Sequence, residues 1–392
     1  MQAIAKRDGG DEVQPVAPYD CAELHVMSGT GNSLRAARWA EAGLSEAGVP
    51  THVRLIDGAA PIVEPDGGKR ALVGIFMPTH GFTAPWLAIK FVARMPRRAG
   101  ADALCVATRA SMKLGPFATP GMSGTATLVV ATILALKGYR IRGLLGLDMP
   151  SNWLQVHPGF APQSVSFVLD KARPRVEWLV SRVLGGRVAI PFWGFLYDVV
   201  SGVPLLPISF LYLIYGRLFF GKMFFASDRC DGCGLCEIGC PVSGVKVIGK
   251  SRPRPYWNYH CESCNRCVAF CPRKAIEIGH GWATFLTVLG VVPLVPFFVA
   301  TAPIWTRWLE LLGSRWLFVV AYVAFSYVSL LALYPVYYLL LKLRPLNLVT
   351  TFTAVTRFWR RHKDPGTKIS DLVPADRLAR YKRAQKERRA GG

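Results

Sequence analysis

The chain has 392 residues, room for two or three domains, and 51% of them are hydrophobic while only 18% are charged. That balance is too apolar for an ordinary soluble protein and points to membrane segments. The net charge is +22, from 47 Lys and Arg against 25 Asp and Glu. Much of it sits beside apolar runs and in the C-terminal tail. This favours a membrane surface and excludes a nucleic-acid reading, which wants the charge on a folded face.

Residues 1–20 are polar, with two prolines and no apolar run of the kind a signal peptide needs. They read as a flexible extension. Residues 21–157 alternate strand and helix patterns. Apolar strands are expected to begin near Glu23, Thr51, Ala71, Ala103 and Arg140, with helices between them such as 33–47 and 84–93. Strands alternating with helices predict a parallel, doubly wound α/β sheet covered on both faces. Such sheets bind ligands past the carboxyl ends of their strands, where strand order reverses.

Two loops fall at that place. The first is Ser28-Gly29-Thr30-Gly31-Asn32-Ser33, from which a helix starts at once. Hydroxyls, glycines and a helix N-terminus together make a phosphate cradle. It is not a Walker A loop, since no Lys follows the second glycine, nor GxGxxG, since Leu34 replaces the third glycine. A plain strand-to-helix turn is the bland alternative. The second loop is Met77-Pro78-Thr79-His80-Gly81-Phe82, after the third strand. Trp86 and Trp153 stand where they would flank a ligand or fill a core. Cys21 and Cys105 lie among apolar residues and read as buried small hydrophobes.

Residues 158–226 read as a linker and membrane-associated segment. The stretch 199–216 is uncharged but interrupted by Pro204 and Pro207. One full crossing would put the flanking domains on opposite sides of a membrane. Two crossings do not fit, because residues 190–226 as one helix reach only about 55 Å against roughly 60 Å plus a turn. The expectation is a re-entrant or interfacial hairpin broken at the prolines, with Arg217 and Lys222 at the headgroups. A soluble helical pair packed on the next domain is the alternative.

Residues 227–281 carry eight of the ten cysteines in two runs of one spacing: Cys230, Cys233, Cys236, Cys240 and Cys261, Cys264, Cys267, Cys271. Each reads C-x2-C-x2-C-x3-C-P, the signature of paired 4Fe–4S clusters, in which the fourth cysteine of a run reaches across to the other cluster. One cluster is therefore assigned to Cys230, Cys233, Cys236 and Cys271, and its neighbour to Cys261, Cys264, Cys267 and Cys240. Short, repeated spacings are poor disulfide partners. A zinc ribbon leaves the third cysteine and the C-P ending unexplained. His260 is a neighbour of the ligands rather than one of them.

Residues 282–341 hold two uncharged stretches, 282–306 and 316–341, each longer than the roughly 20 residues a spanning helix needs. Joined by a short link, they predict a transmembrane hairpin, with Trp305, Trp308, Tyr337 and Tyr338 as aromatic belts. Residues 342–392 form a basic tail, and the positive-inside rule places it in the cytoplasm. Neither span holds an ionisable residue, which argues against ion pumping.

Residues 22–281 resemble the bacterial family that fuses a flavodoxin-like domain to a two-cluster ferredoxin domain; the spans are additions to it. The resemblance rests on the 28–33 loop, the 78–82 loop, the end of the fifth strand at Met149-Pro150-Ser151-Asn152-Trp153, and the paired cysteine runs. It implies FMN, with phosphate at Ser28, Thr30, Gly31, Asn32 and Ser33, and ring at Pro78, Thr79, His80, Gly81 and Phe82, near Thr108 and Asn152. The third loop reads Thr108-Arg109-Ala110-Ser111-Met112, a departure from the glycine-rich turn expected there.

The expectation is a membrane-anchored electron-transfer protein. It would carry FMN and two 4Fe–4S clusters on the cytoplasmic face of the inner membrane, and supply a redox partner protein such as a membrane-associated reductase or radical enzyme. Two alternatives stand beside it. One is a quinone-linked oxidoreductase, with Tyr212 or Tyr215 at the quinone. The other is a non-catalytic assembly or sensor subunit with an empty flavin site.

Overall fold

The computed structural model describes residues 18–58, 70–249, 251–291 and 316–390. Five parallel strands form the main sheet: β1 (Cys21–Val26), β2 (Thr51–Leu55), β3 (Ala71–Pro78), β4 (Asp102–Ser111) and β5 (Arg140–Pro150), in the order β2-β1-β3-β4-β5. β1, β3 and β4 are almost wholly buried. The unbroken apolar run of β3, rather than an alternating one, follows from helices on both faces. α1 (Asn32–Glu46) and α4 (Pro162–Leu184) cover one face around Leu24, Phe76, Leu104 and Val176. α2 (Trp86–Arg94) and α3 (Ala126–Leu136) cover the other around Ile75, Phe91 and Val130. This is the flavodoxin-like order, whose switch point lies between β1 and β3. The strands begin within two residues of their expected starts. α4 packs on β5 and α1, so the unit runs past the limit of 157 read from sequence.

α5 (Phe192–Lys222) is continuous, with Pro204 and Pro207 inside it and a π turn at Tyr212–Gly216. The break expected at the prolines is absent. A proline removes one helical hydrogen bond and crowds the preceding turn, but α5 is held along one side. Asp198 pairs with Arg109 at 2.7 Å, Gly202 lies against Gly124, and Ser209 Oγ donates to the Phe82 carbonyl at 3.2 Å. Its outer side is apolar and exposed, with Trp193 at 77%, Val200 at 63% and Phe210 at 66%. Among the described residues, α5 is the one helix long and apolar enough to span a bilayer.

The cysteine-rich unit follows. β6 (Phe224–Ala226) pairs antiparallel with β9 (Ile276–Ile278), and β7 (Val245–Ile248) with β8 (Arg254–Trp257). Single-turn helices α6 (Leu235–Ile238) and α7 (Arg266–Ala269) carry the third cysteine of each run. α8 (His280–Val291) leaves this unit and α9 (Trp316–Leu340) returns to it, with Trp282 stacked on Tyr337 at 3.7 Å. The rest of the expected first span and the link lie outside the described residues. The later turns of α9 pack on the unit: Tyr334 is buried and its hydroxyl accepts the Trp257 N–H, and Tyr338 donates to the Arg254 carbonyl. Tyr337 and Tyr338 thus touch protein where an aromatic belt was expected.

The tail is built in. After α10 (Arg344–Phe352), a strap crosses both units before α11 (Ala375–Ala390). Arg361 pairs with the fully buried Glu277 at 2.9 Å. His362 Nε2 meets Asn32 Oδ1 at 3.0 Å, the Asp364 N–H donates to the Thr30 carbonyl at 2.8 Å, and the Asp364 carboxylate pairs with Arg35. Arg377 grips Asp57 and Gln385 donates to the Cys233 carbonyl.

Burial pushes the His362 imidazole down to about 4, with Arg35 acting the same way against the opposing Asp364. The unfolded strap binds a proton below about pH 6.5 while the docked one does not, so docking weakens as pH falls from 6.5 towards 4. Hydrogen exchange of residues 357–367, corrected for intrinsic rate, should lose protection by up to about tenfold per pH unit in that window. His362→Gln should flatten the dependence. Equal wild-type protection at pH 4.5 and 7 would remove His362 as the titrating group.

Candidate functional site

A cleft of about 940 Å3, open at its mouth, lies past the carboxyl ends of β1, β3, β4 and β5. Ser28, Thr30, Asn32, Ser33, Pro78, Thr79, His80, Gly81, Phe82, Thr108 and Asn152 line it. Gly31 does not. It sits before α1 with φ +107, and a Cβ there would strike Asp364 and Thr367 of the strap. Glycine is needed at this point for its left-handed backbone and for the strap's close approach.

The phosphate end is hydroxyl-rich. Ser28 Oγ accepts the Gly31 N–H at 3.0 Å, Ser33 Oγ lies 3.0 Å from Thr108 Oγ1, and Asn152 donates to Thr30 Oγ1. α1 points its N-terminus here, which favours an anion. At the other end Phe82 holds φ +61, a costly backbone for an aromatic residue. Thr79 Oγ1, His80 Nδ1 and Asn265 Oδ1 are buried without a protein partner. Burial pushes His80 down to about 4, so its ring stays neutral at ordinary pH. Orphaned polar atoms beside Phe82, Trp153, Tyr212 and Phe220 fit a flat, polar-edged ring system, as in FMN.

Sequence reading missed one wall. Tyr212 and Phe220 come from α5, and Ser263, Cys264 and Asn265 from the second cysteine run. A Cβ on Gly29 would lie 2.0 Å from the Cys264 carbonyl oxygen, so the phosphate loop and the cysteine loop touch through backbone. Tyr212 Oη lies 3.2 Å from Ser263 Oγ, and Asn265 Nδ2 donates to the Asn152 carbonyl at 3.1 Å. The Glu262 carboxylate faces the backbone N–H groups of Trp86 and Leu87 at the start of α2, and burial raises it to about 7. Trp153 stands at the cleft, as one of its two sequence readings had it, whereas Trp86 lies under the Arg217 guanidinium. Cys105 is buried and Cys21 partly so.

The cysteines stand in two groups. Cys230, Cys233, Cys236 and Cys271 line one cavity of about 490 Å3, which Cys267, Arg266 and Ile369 of the strap also border. Cys240, Cys261, Cys264 and Cys267 lie near one another, with Cys267 also close to Cys236 of the first group. Among the described residues no three His, Cys, Asp or Glu side chains converge on a single-ion position. Cys230, Cys233, Cys236 and Cys271 surround space instead, which suits a cluster. Backbone N–H groups aim at sulfur: Gly244 at Cys240, Ser263 at Cys261 and Ala275 at Cys271, at 3.1 to 3.5 Å. Such bonds tune cluster thiolates. Burial pushes the Cys264 thiol up to about 11, so packed thiols of this kind ionise only when a bound metal supplies the compensating charge.

No known family model matches the chain. An uncharacterized ferredoxin of Methanocaldococcus jannaschii is 31% identical over 62 residues, 15% of this chain and 33% of that protein. A ferredoxin of Pyrobaculum islandicum is 36% identical over 50 residues, 13% of this chain and 46% of that protein. The chain thus spans less than half the length of these curated relatives. A solved Streptococcus pneumoniae flavodoxin is 12% identical and covers 42% of this chain and 97% of its own, with a TM-score of 0.26; the fold assignment rests on strand order.

Thr30→Glu places a carboxylate in the hydroxyl cradle and should lower FMN affinity roughly hundredfold. Flavin fluorescence titration checks it, with far-ultraviolet dichroism as the folding control. Unchanged affinity moves the phosphate site elsewhere. Cys240→Ser should damage the cluster of Cys261, Cys264 and Cys267 and spare that of its own run, read by electron paramagnetic resonance. The reverse pattern refutes crossed ligation.

Proposed function

We propose that the chain is an electron-transfer protein of the cytoplasmic membrane, exchanging electrons between FMN and two 4Fe–4S clusters to supply a membrane-associated reductase or radical enzyme. The observation that carries this is the shared wall: Ser263, Cys264 and Asn265 close the cleft that the 28–33 and 78–82 loops open. Bound FMN would exchange two-electron for one-electron chemistry, and the clusters would relay single electrons.

The chain's own residues hold the groups and exclude water. Ser28, Thr30, Asn32 and Ser33 would hold the phosphate, and Phe82, Trp153, Tyr212 and Phe220 would sandwich the ring. The cluster of Cys240, Cys261, Cys264 and Cys267 is the one beside the cleft, since Cys264 belongs to both. The cluster of Cys230, Cys233, Cys236 and Cys271 is then the remote one. Neighbouring cofactors held by touching backbones need no large motion to exchange electrons.

Lipid anchoring draws support from the uncharged 282–306 and 316–341 stretches, from α8 leaving and α9 returning to one unit, and from the apolar outer side of α5. α5 lies along both redox units, which supports a reading with both on one side of the membrane. A second reading, quinone oxidoreduction, is favoured by Tyr215, which meets Tyr327 of α9 at 6.4 Å where the apolar side of α5 adjoins the expected span.

Anaerobically purified protein should hold about eight iron atoms and one FMN, with two interacting reduced clusters. Reporter fusions at Ala22 and Gly392 should both read cytoplasm, and one near Gly313 the outside. Zinc in place of iron ends the cluster reading, and termini on opposite sides end the topology.

A further inference from the structure

Resting on that reading, we infer that the remote cluster is the port for a partner protein, and that the partner is a one-electron carrier with an acidic surface. An open cleft of about 870 Å3 borders Cys230, and Arg252, Arg254 and Arg344 line it. Its two acids are already neutralised: Asp228 pairs with Arg254 at 2.7 Å, and Asp231 with Arg273 at 3.0 Å. Arg252 and Arg344 are exposed and have no ion pair among the described residues.

A second set of cations reaches the same cluster from another element. α11 lies on the Cys233 loop through Gln385, while Arg377 of the same face grips Asp57. Its outer face carries Lys382, Arg383 and Lys386, all exposed and without ion pairs among the described residues. One helix diameter, about 10 Å, separates those charges from Cys233. Cations therefore reach the cysteines of this cluster from two elements, Arg252, Arg254 and Arg344 at the cleft beside Cys230 and α11 beside Cys233.

Positive potential focused on a redox centre speeds the approach of a negatively charged partner and orients it. The cavity near the flavin is unsuited to this role, because α5 and the cysteine loop wall it. An anionic lipid surface offers the same charge chemistry, but a flat bilayer does not enter a cleft that ends on a cysteine. Each encounter passes one electron: the reduced carrier is oxidised by one unit and the cluster at Cys230, Cys233, Cys236 and Cys271 is reduced by one.

The test uses the full-length protein in detergent with a reduced acidic plant-type ferredoxin as probe, followed by stopped flow. Wild-type rates should fall about tenfold between low and high salt. Two variants, Arg252→Glu with Arg344→Glu, and Lys382→Glu with Arg383→Glu and Lys386→Glu, should each be about tenfold slower at low salt and nearly salt-independent. Iron content, flavin content and reduction by photoreduced 5-deazariboflavin, an uncharged reductant, should not change. Unaltered ferredoxin rates in both variants overturn the inference. So does loss of binding to anionic phospholipid vesicles with ferredoxin rates intact, which makes the surface a lipid face. If 5-deazariboflavin reduces no cluster in the wild type, the electron-transfer reading itself falls.

Discussion

Arg266 sits between two cysteines of the second run and is buried almost completely. Its guanidinium donates to the Ser28 carbonyl at 2.6 Å, and to the Gly239 and Leu372 carbonyls at 2.9 Å each. Burying a cation costs several kcal/mol, which these three carbonyls offset at the two terminal nitrogens, while Nε has no protein partner. Desolvation lowers its basicity, which the adjacent Cys264 and Cys240 oppose. The three acceptors come from the phosphate loop, the first cysteine run and the segment leading into α11. Separating any of them leaves a buried charge short of a partner, so the phosphate loop, the cysteine loops and the strap form one body. The shared wall of the cleft follows from that constraint.

A second buried cation orders the other end. Arg109 reaches Asp148 and Asp198 at 2.7 Å and fastens α5 to the sheet. α5 then carries its polar locks inward and its apolar residues outward, the reverse of a water-facing helix. An exposed apolar face of this length marks a contact surface. The locks also explain how two prolines survive in a continuous run: the side contacts at Asp198, Gly202, Ser209 and Tyr212 hold the turns that lost hydrogen bonds.

The strap joins these parts over the chain's length. Glu277 is fully buried and accepts from Thr356, Arg229 and Arg361, so part of the tail's positive charge is internal neutralisation rather than a free basic surface. Asp364 and His362 brace the loop that would meet an anion, although neither lines the cleft. What remains unpaired, on α11 and around Cys230, is the charge left for an outside surface.

Local pattern alone determined the strand starts, the twin cysteine runs, and the place of the 28–33 and 78–82 loops at the carboxyl ends of the strands. Hydrophobic period, metal-ligand spacing and loop composition are properties of neighbours in sequence. Tertiary contact decided the rest. Gly31 was read as a phosphate contact, yet it turns to the strap, because Asp364 and Thr367 arrive from more than 300 residues away. Cys264 enters the cleft because Gly29 lets two backbones touch, and Tyr212 and Phe220 enter it from α5. Pro204 and Pro207 argue locally for a break, and Arg109 on β4 overrules them. The cationic tail reads as a wholly free surface until Glu277 and Asp57 claim Arg361 and Arg377. Each of these depends on a partner distant in the chain, and an energy set by such a partner leaves no periodic trace in the sequence.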